Sequence, residues 1–91
     1  MAYMLVHYEH DYDEWKAVFD ADPVGRAEGG VKSHSIARGV DNPNDIFVTL
    51  EFASADDAKS FRDRLLASGA LDRVNVKTPP TVVEAMETRT Y

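Results

Sequence analysis

The chain has 91 residues, no cysteine and a formal net charge of −6 at pH 7. The acidic balance disfavours nucleic acid as a partner, and the lack of cysteine excludes disulfides, thiolate metal sites and a cysteine nucleophile. An apolar content of 44% supports a packed core, and the length predicts one domain over residues 1–91. No segment has the length and hydropathy of a membrane span, and the N-terminus lacks a secretory pattern, so we expect a cytoplasmic protein without a membrane partner.

The first part of the chain predicts a strand followed by a helix. Residues 3–8 form a short apolar run rich in strand formers. Asp11 and Glu14 have the spacing of a capping box, which marks the start of a helix. The apolar side chains that follow fall on one helical face: Tyr12, Trp15, Val18 and Phe19. Asp22-Pro23 then interrupts this helix.

A predicted hairpin occupies the middle of the chain. Its second strand has apolar residues at every other position, the period of a strand with one face in a core: Ile46, Val48, Leu50 and Phe52. Residues 31–38 form the preceding strand, and residues 41–45 carry the Asp, Asn and Pro side chains typical of turns. The opposite face of the second strand carries Phe47, Thr49 and Glu51, a mixture that is neither plainly solvated nor plainly core.

A second helix and a last strand complete the chain. Ser54 is the expected N-cap of the helix, and its predicted buried stripe consists of Ala58, Phe61 and Leu65. Gly69 is a plausible stop, with residues 70–74 adding one further helical turn. Pro79-Pro80 predicts an extended connection to a final strand over residues 81–89.

The element order β-α-β-β-α-β is that of a ferredoxin-like α+β sandwich. Right-handed crossovers place both helices on one face of a four-stranded antiparallel sheet. The other face of the sheet receives no cover from the same chain. A second copy of the same sheet is the simplest cover, which predicts a homodimer.

Four segments resemble the dimeric α+β barrel superfamily, and within it the small proteins of the antibiotic-biosynthesis-monooxygenase type. They are Gly30-Val31, the strand end Ile36-Ala37-Arg38, the turn Asp41-Asn42-Pro43 and the run from Phe47 to Ser54. The resemblance implies two sheets packed face to face across a homodimer. It also implies small-molecule chemistry such as cofactor-independent oxygenation of polycyclic aromatic substrates, haem degradation or polyketide cyclisation.

The register of the hairpin decides which polar groups meet. A four-residue loop places His34 opposite Glu51 and Arg38 opposite Phe47, whereas a five-residue loop places His34 opposite Phe52. Under the first register, His34 and Glu51 form a candidate acid–base pair, and Arg38 is a candidate for binding an enolate or carboxylate oxygen. The alternatives are a stabilising cross-strand pair for His34 and Glu51, and a rim position for Arg38 over Phe47 or beside Asp41 or Asp45.

Candidate ligand-binding residues come from both faces of the predicted sheet. They are Trp15 and Phe19 as aromatic walls, with Phe47, Thr49 and His7 near the polar groups. A purely structural role in the core is the competing interpretation of the aromatic helix face. His7, His10 and the neighbouring acids lack a paired metal-ligand spacing, so we expect a solvated loop there and no metal site.

These features predict a protein that handles an apolar or aromatic small molecule without a tightly held cofactor. As an enzyme it would be a cofactor-independent monooxygenase or cyclase, acting by positioning, acid–base help and oxyanion stabilisation. The alternative is a non-catalytic ligand-binding or structural homodimer.

Overall fold

The computed structural model describes all 91 residues and contains four strands and two helices. The strands form one antiparallel sheet in the order β2-β3-β1-β4, so the predicted ferredoxin-like order is confirmed. The elements are β1 (Ala2–Glu9), α1 (Tyr12–Ala21), β2 (Val31–Arg38), β3 (Asp45–Phe52), α2 (Ala55–Ala67) and β4 (Asn75–Glu84). No helix is long and apolar enough to cross a membrane.

The core lies between the two central strands and the helices. Alternate residues of β1 and β3 point into it, and Phe52, Met4 and Ile46 are its largest fully buried side chains. Trp15 of α1 and Phe61 of α2 belong to the same buried cluster, which puts both helices on one face of the sheet. The strand alternation of β3 predicted from the sequence therefore describes the core side of this strand correctly.

Both helices begin at the side-chain caps predicted from the sequence. Asp11 accepts a hydrogen bond from the Glu14 N–H at 3.0 Å, and Ser54 accepts one from the Asp57 N–H at 3.2 Å. The buried face of α1 is narrower than the predicted apolar face, because Val18 is 57% exposed.

The hairpin adopts neither of the two registers considered from the sequence. His34 lies opposite Leu50, and Ser33 takes the predicted place of His34 opposite Glu51. The turn sets this register, because the Gly39 N–H donates to the Asp45 carbonyl at 2.9 Å and residues 40–44 form the loop between them. A separate register irregularity between Val31 and Ser33 lets residues of odd spacing share one face. Val31 and Ile36, five residues apart, consequently both pack against the core.

The last strand starts and ends earlier than predicted. It runs over Asn75–Glu84, and Pro79 and Pro80 lie inside it, where they were expected to form a connection. Their lack of N–H groups is tolerated because β4 is an edge strand that pairs only with β1. The predicted additional helical turn over residues 70–74 is a pair of tight turns, with Asp72 N–H donating to Gly69 and Val74 N–H to Leu71.

Candidate functional site

The sheet separates the candidate site residues into two groups. His34, Arg38, Trp15 and Phe19 are on the helix side, whereas His7, Phe47, Thr49 and Glu51 are on the face that no helix covers, called the open face below. The two groups cannot contribute to one site within a single chain, because successive residues of a strand point to opposite faces.

The predicted acid–base pair of His34 and Glu51 is wrong. The His34 ring packs edge-on against Phe19 with 5.1 Å between ring centroids, on the helix side. Glu51 lies on the open face, where its Oε2 is 3.5 Å from the Tyr3 hydroxyl. The one-residue difference in register is the cause, since it turns the whole of β2 over relative to the prediction.

Arg38 also occupies a place that the sequence did not indicate. Its guanidinium carbon lies 4.2 Å from the centre of the Tyr12 ring, and its Nε donates to the Pro43 carbonyl at 3.1 Å. The rim position considered from the sequence, over Phe47 or beside Asp41 or Asp45, is therefore wrong as well. The cation–π contact and the hydrogen bond fix the hairpin turn against the start of α1.

The open face carries a small polar and aromatic cluster. The His7 ring stacks on Phe47 with centroids 4.1 Å apart and 14° between the planes, and His7 Nε2 is 3.1 Å from Asp45 Oδ1. A shallow depression of about 270 Å³ adjoins this cluster and includes Thr49 in its wall. Leu5 and Phe47 are large apolar side chains on this face that are 39% and 43% exposed.

The helix side contains a much larger cavity, of about 880 Å³, bounded by α1, α2 and the sheet. This volume is within the range of small-molecule sites. Most of the residues around it are apolar. They include Met4, Val6, Val48, Leu50, Phe61, Leu65, Leu71 and Val74, with Trp15 and Phe19 from α1.

A row of aromatic rings forms the α1 wall of the cavity. The Trp15 ring lies 5.6 Å from Tyr8 and 4.9 Å from Phe19, measured between centroids. The guanidinium carbon of Arg26 is 3.7 Å from the centre of the Phe19 ring. Trp15 and Phe19, the candidate aromatic walls, line this cavity, and Trp15 at the same time belongs to the core cluster.

Tyr8 and Arg26 lie at the cavity and were not among the candidates from the sequence. Burial raises the pKa of the Tyr8 phenol to about 12, opposed by a hydrogen bond from Trp15 and by the positive charge of Arg26. The sequence did carry a signal for Tyr8. It continues the alternation of core-facing residues after Met4 and Val6, and it places a hydroxyl in the core. Arg26 lies in the connection after α1 and had no pattern that marked it.

The rim of the cavity holds a histidine–carboxylate pair. His10 Nε2 lies 3.4 Å from Glu14 Oε2, one helical turn away, and both residues line the opening. His7 and His10 lie on different sides of the sheet, since His7 contacts Asp45 on the open face and His10 lines the helix-side cavity. No group of three or more His, Cys, Asp or Glu side chains is arranged to hold a metal ion.

Comparison with solved structures identifies this arrangement as a known fold. The chain superposes on a candidate antibiotic biosynthesis monooxygenase from Deinococcus radiodurans with a TM-score of 0.68 and 15% identity, covering 100% of this chain and 98% of that chain. A protein from Mycobacterium tuberculosis gives 0.66 and 17%, covering 98% of each chain. A candidate antibiotic biosynthesis monooxygenase from Chloroflexus aurantiacus gives 0.61 and 11%, covering 98% of this chain and 96% of that chain.

These matches show the α+β fold of solved structures that include candidate antibiotic biosynthesis monooxygenases, which is the fold that the sequence resemblance implied. No protein-family profile and no curated protein sequence matches the chain. At 11–17% identity the likeness establishes a common fold and does not extend by itself to a common reaction.

Proposed function

We propose that the protein binds an aromatic small molecule in the cavity between α1, α2 and the sheet. The observation that carries the proposal is the cavity itself, about 880 Å³ in volume and walled by the Tyr8, Trp15 and Phe19 rings. Aromatic rings offer a flat ligand offset or edge contacts that add to the free energy gained by burying its surface. The few polar groups at the wall would orient the ligand.

The helix-side cavity is a better ligand site than the open face. The depression on the open face has less than a third of the volume of the cavity. Its only aromatic rings are that of Phe47 and the imidazole of His7. An exposed pair such as Leu5 and Phe47 on a sheet face is better suited to packing against another flat surface. The open face is therefore proposed as the contact with a second copy of the chain, which would make the protein a homodimer.

As an enzyme, the protein would be a cofactor-independent monooxygenase or cyclase of an aromatic or polyketide-like substrate. Two of the structural neighbours are named as candidate antibiotic biosynthesis monooxygenases. In such an oxygenation, a ring methylene of the substrate reacts with O₂ to give a ring carbonyl and water. The substrate supplies all the electrons. The reaction then requires the removal of a proton from the substrate and stabilisation of the resulting enolate.

The groups available for this chemistry differ from those predicted. His34 and Arg38 lie on the helix side but do not line the cavity, and Glu51 lies on the open face. The His10–Glu14 pair at the rim has the arrangement of an imidazole base held by a carboxylate. Tyr8 offers a neutral hydroxyl to an oxyanion, because a phenol is protonated at neutral pH and burial raises its pKa further, to about 12.

The test of binding uses the fluorescence of Trp15, the only tryptophan, during titration with naphthol. We expect saturable quenching in the wild type. Ala70→Phe, which fills part of the cavity wall, should weaken binding about tenfold or more, because a ring-sized obstruction costs over 1.4 kcal/mol. The matched control is Ala67→Phe, an exposed position of α2 outside the cavity, which should bind like the wild type. Unsaturable quenching, or equal affinity in both variants, would exclude the cavity as the site.

A non-catalytic ligand-binding homodimer is the second candidate function. It is favoured by the failure of His34, Glu51 and Arg38 to converge on one site. Oxygen consumption with a hydroxylated anthrone as substrate separates the two candidates. Consumption that His10→Ala reduces, with naphthol binding unchanged, supports the enzyme, whereas binding without consumption supports the binding protein.

A further inference from the structure

We propose that Arg26 makes the cavity selective for aromatic ligands that carry an ionised oxygen, such as a carboxylate or an enolate. The inference rests on the proposed function, since it assigns a ligand class to the same cavity. It concerns a residue of the α1–β2 connection, outside every strand and helix.

The Arg26 guanidinium is held by contacts with Phe19 and Asp22. Its plane packs over the Phe19 ring at 3.7 Å, and its side chain is only 19% exposed. Nη1 donates to the Phe19 carbonyl at 2.7 Å and lies 3.5 Å from Asp22 Oδ1. Both contacts use the same nitrogen, so the Nε and Nη2 groups keep their N–H donors free of protein partners.

The acidic partner of Arg26 is also engaged elsewhere. Asp22 Oδ1 accepts the Arg26 backbone N–H at 2.9 Å, which is shorter than its contact with the guanidinium. Asp22 has a left-handed backbone with φ 54° at the end of α1, and this hydrogen bond stabilises the turn that follows. The positive charge of a largely buried guanidinium is thus paired with one carboxylate, whose contacting oxygen is shared with the Arg26 backbone N–H.

A second donor lies along the same wall. Tyr8 lines the same cavity, and its hydroxyl can donate a hydrogen bond to a ligand oxygen. This part of an otherwise apolar cavity therefore offers a ligand anion the donors of Arg26 and Tyr8, beside the Asp22 carboxylate that already contacts Arg26.

The experiment compares naphthoate with naphthamide, a neutral ligand of the same shape, by titration of Trp15 fluorescence. We expect naphthoate to bind the wild type at least tenfold more tightly, a ratio equivalent to about 1.4 kcal/mol. Arg26→Gln should bring the two affinities within about twofold, and Arg26→Lys should retain part of the preference. Arg89→Gln is the matched control, because it removes the same charge at an exposed position outside the cavity, and it should leave the preference unchanged.

The outcomes separate this inference from the proposed function. Equal affinities of naphthoate and naphthamide for the wild type overturn the selectivity while leaving the cavity as a binding site. A preference that survives in Arg26→Gln, or is lost in Arg89→Gln, also overturns the role of Arg26. If neither ligand nor naphthalene binds, the proposed function fails. Because the wild-type comparison needs no variant, the inference stays testable even where Arg26→Gln does not fold.

Discussion

The His7 imidazole lies almost parallel to the Phe47 ring, with 4.1 Å between centroids and 14° between the planes. The two residues are cross-strand partners of β1 and β3 on the open face. The Asp45 carboxylate, 3.1 Å from His7 Nε2, holds the imidazole in this stacked orientation. A flat, ordered apolar surface results on the side of the sheet that neither helix covers, and we propose this surface as the dimer contact.

Phe47→Asp should weaken the dimer because it replaces the largest exposed apolar side chain of the open face with a charge. We expect a dissociation constant at least about tenfold higher, from the loss of buried apolar area and the burial of a carboxylate. Sedimentation over a dilution series measures this constant. Leu66→Asp is the control, since Leu66 is 53% exposed on α2 and should not change assembly. A wild-type chain that sediments as a monomer at micromolar concentration would remove the proposed dimer.

A double-mutant cycle tests the placement of His34 and Glu51 on opposite faces of the sheet. The effects of His34→Ala and Glu51→Gln on the free energy of unfolding should add to within about 0.5 kcal/mol, because their side chains share no partner. The comparison pair is His7→Ala with Asp45→Asn, which are in contact and should show a measurable interaction energy. Coupling between His34 and Glu51 as large as in the comparison pair would mean that the hairpin register described above is wrong.

Tyr8 should make stability depend on pH in the alkaline range. The folded chain keeps the phenol protonated up to a pKa of about 12, whereas the unfolded chain loses this proton near the ordinary value of 10.0. Between these values the unfolded state binds fewer protons, so the free energy of unfolding falls as the pH rises. From about pH 9 to about pH 11 we expect a loss of about 1 kcal/mol more in the wild type than in Tyr8→Phe.

Urea unfolding at the two pH values measures this difference, and comparison with Tyr8→Phe removes the contribution of all other groups. The stability of the wild type is fully present below the unfolded pKa of the phenol and declines above it. Parallel pH dependence in the two proteins would contradict the buried, protonated state assigned to Tyr8.

Gly29 should not tolerate a side chain. A Cβ built at this position meets the ring of Phe61, a buried residue of the cavity wall, at 2.5 Å. Gly29→Ala should therefore lower the free energy of unfolding by about 1–3 kcal/mol, since Phe61 must leave its packed position. Glu28→Ala, at the exposed neighbouring residue, is the control and should stay within about 0.5 kcal/mol of the wild type in urea unfolding.

The fold could be predicted because its signals are local. The alternation through β3 and the caps at Asp11 and Ser54 each depend on residues close in sequence, and the structure confirms them. The hairpin register could not be predicted, because it depends on which pair of residues closes the turn, here Gly39 and Asp45, and the turn-forming residues 41–45 are compatible with more than one closure. The start of β4 was placed too late for a similar reason, because Pro79 and Pro80 fit inside a strand only where that strand lies at the sheet edge.

The site was less predictable than the fold, because it depends on which side of the sheet each residue faces. Trp15 and Phe19 were correctly placed on one face of α1, where they line the cavity, but His34 and Arg38 were assigned to the wrong side of the sheet. Arg26 is brought to the cavity by the left-handed turn at Asp22 and by packing on Phe19. Neither contact could be inferred from the spacing of residues along the chain.

The most direct test of the central claim is a crystal structure of the protein grown with naphthoate. The ligand should lie between α1, α2 and the sheet, with its ring against Trp15 and its carboxylate within hydrogen-bonding distance of Arg26 or Tyr8. A ligand that occupies the open face beside Phe47, with the helix-side cavity holding only water, would contradict the account.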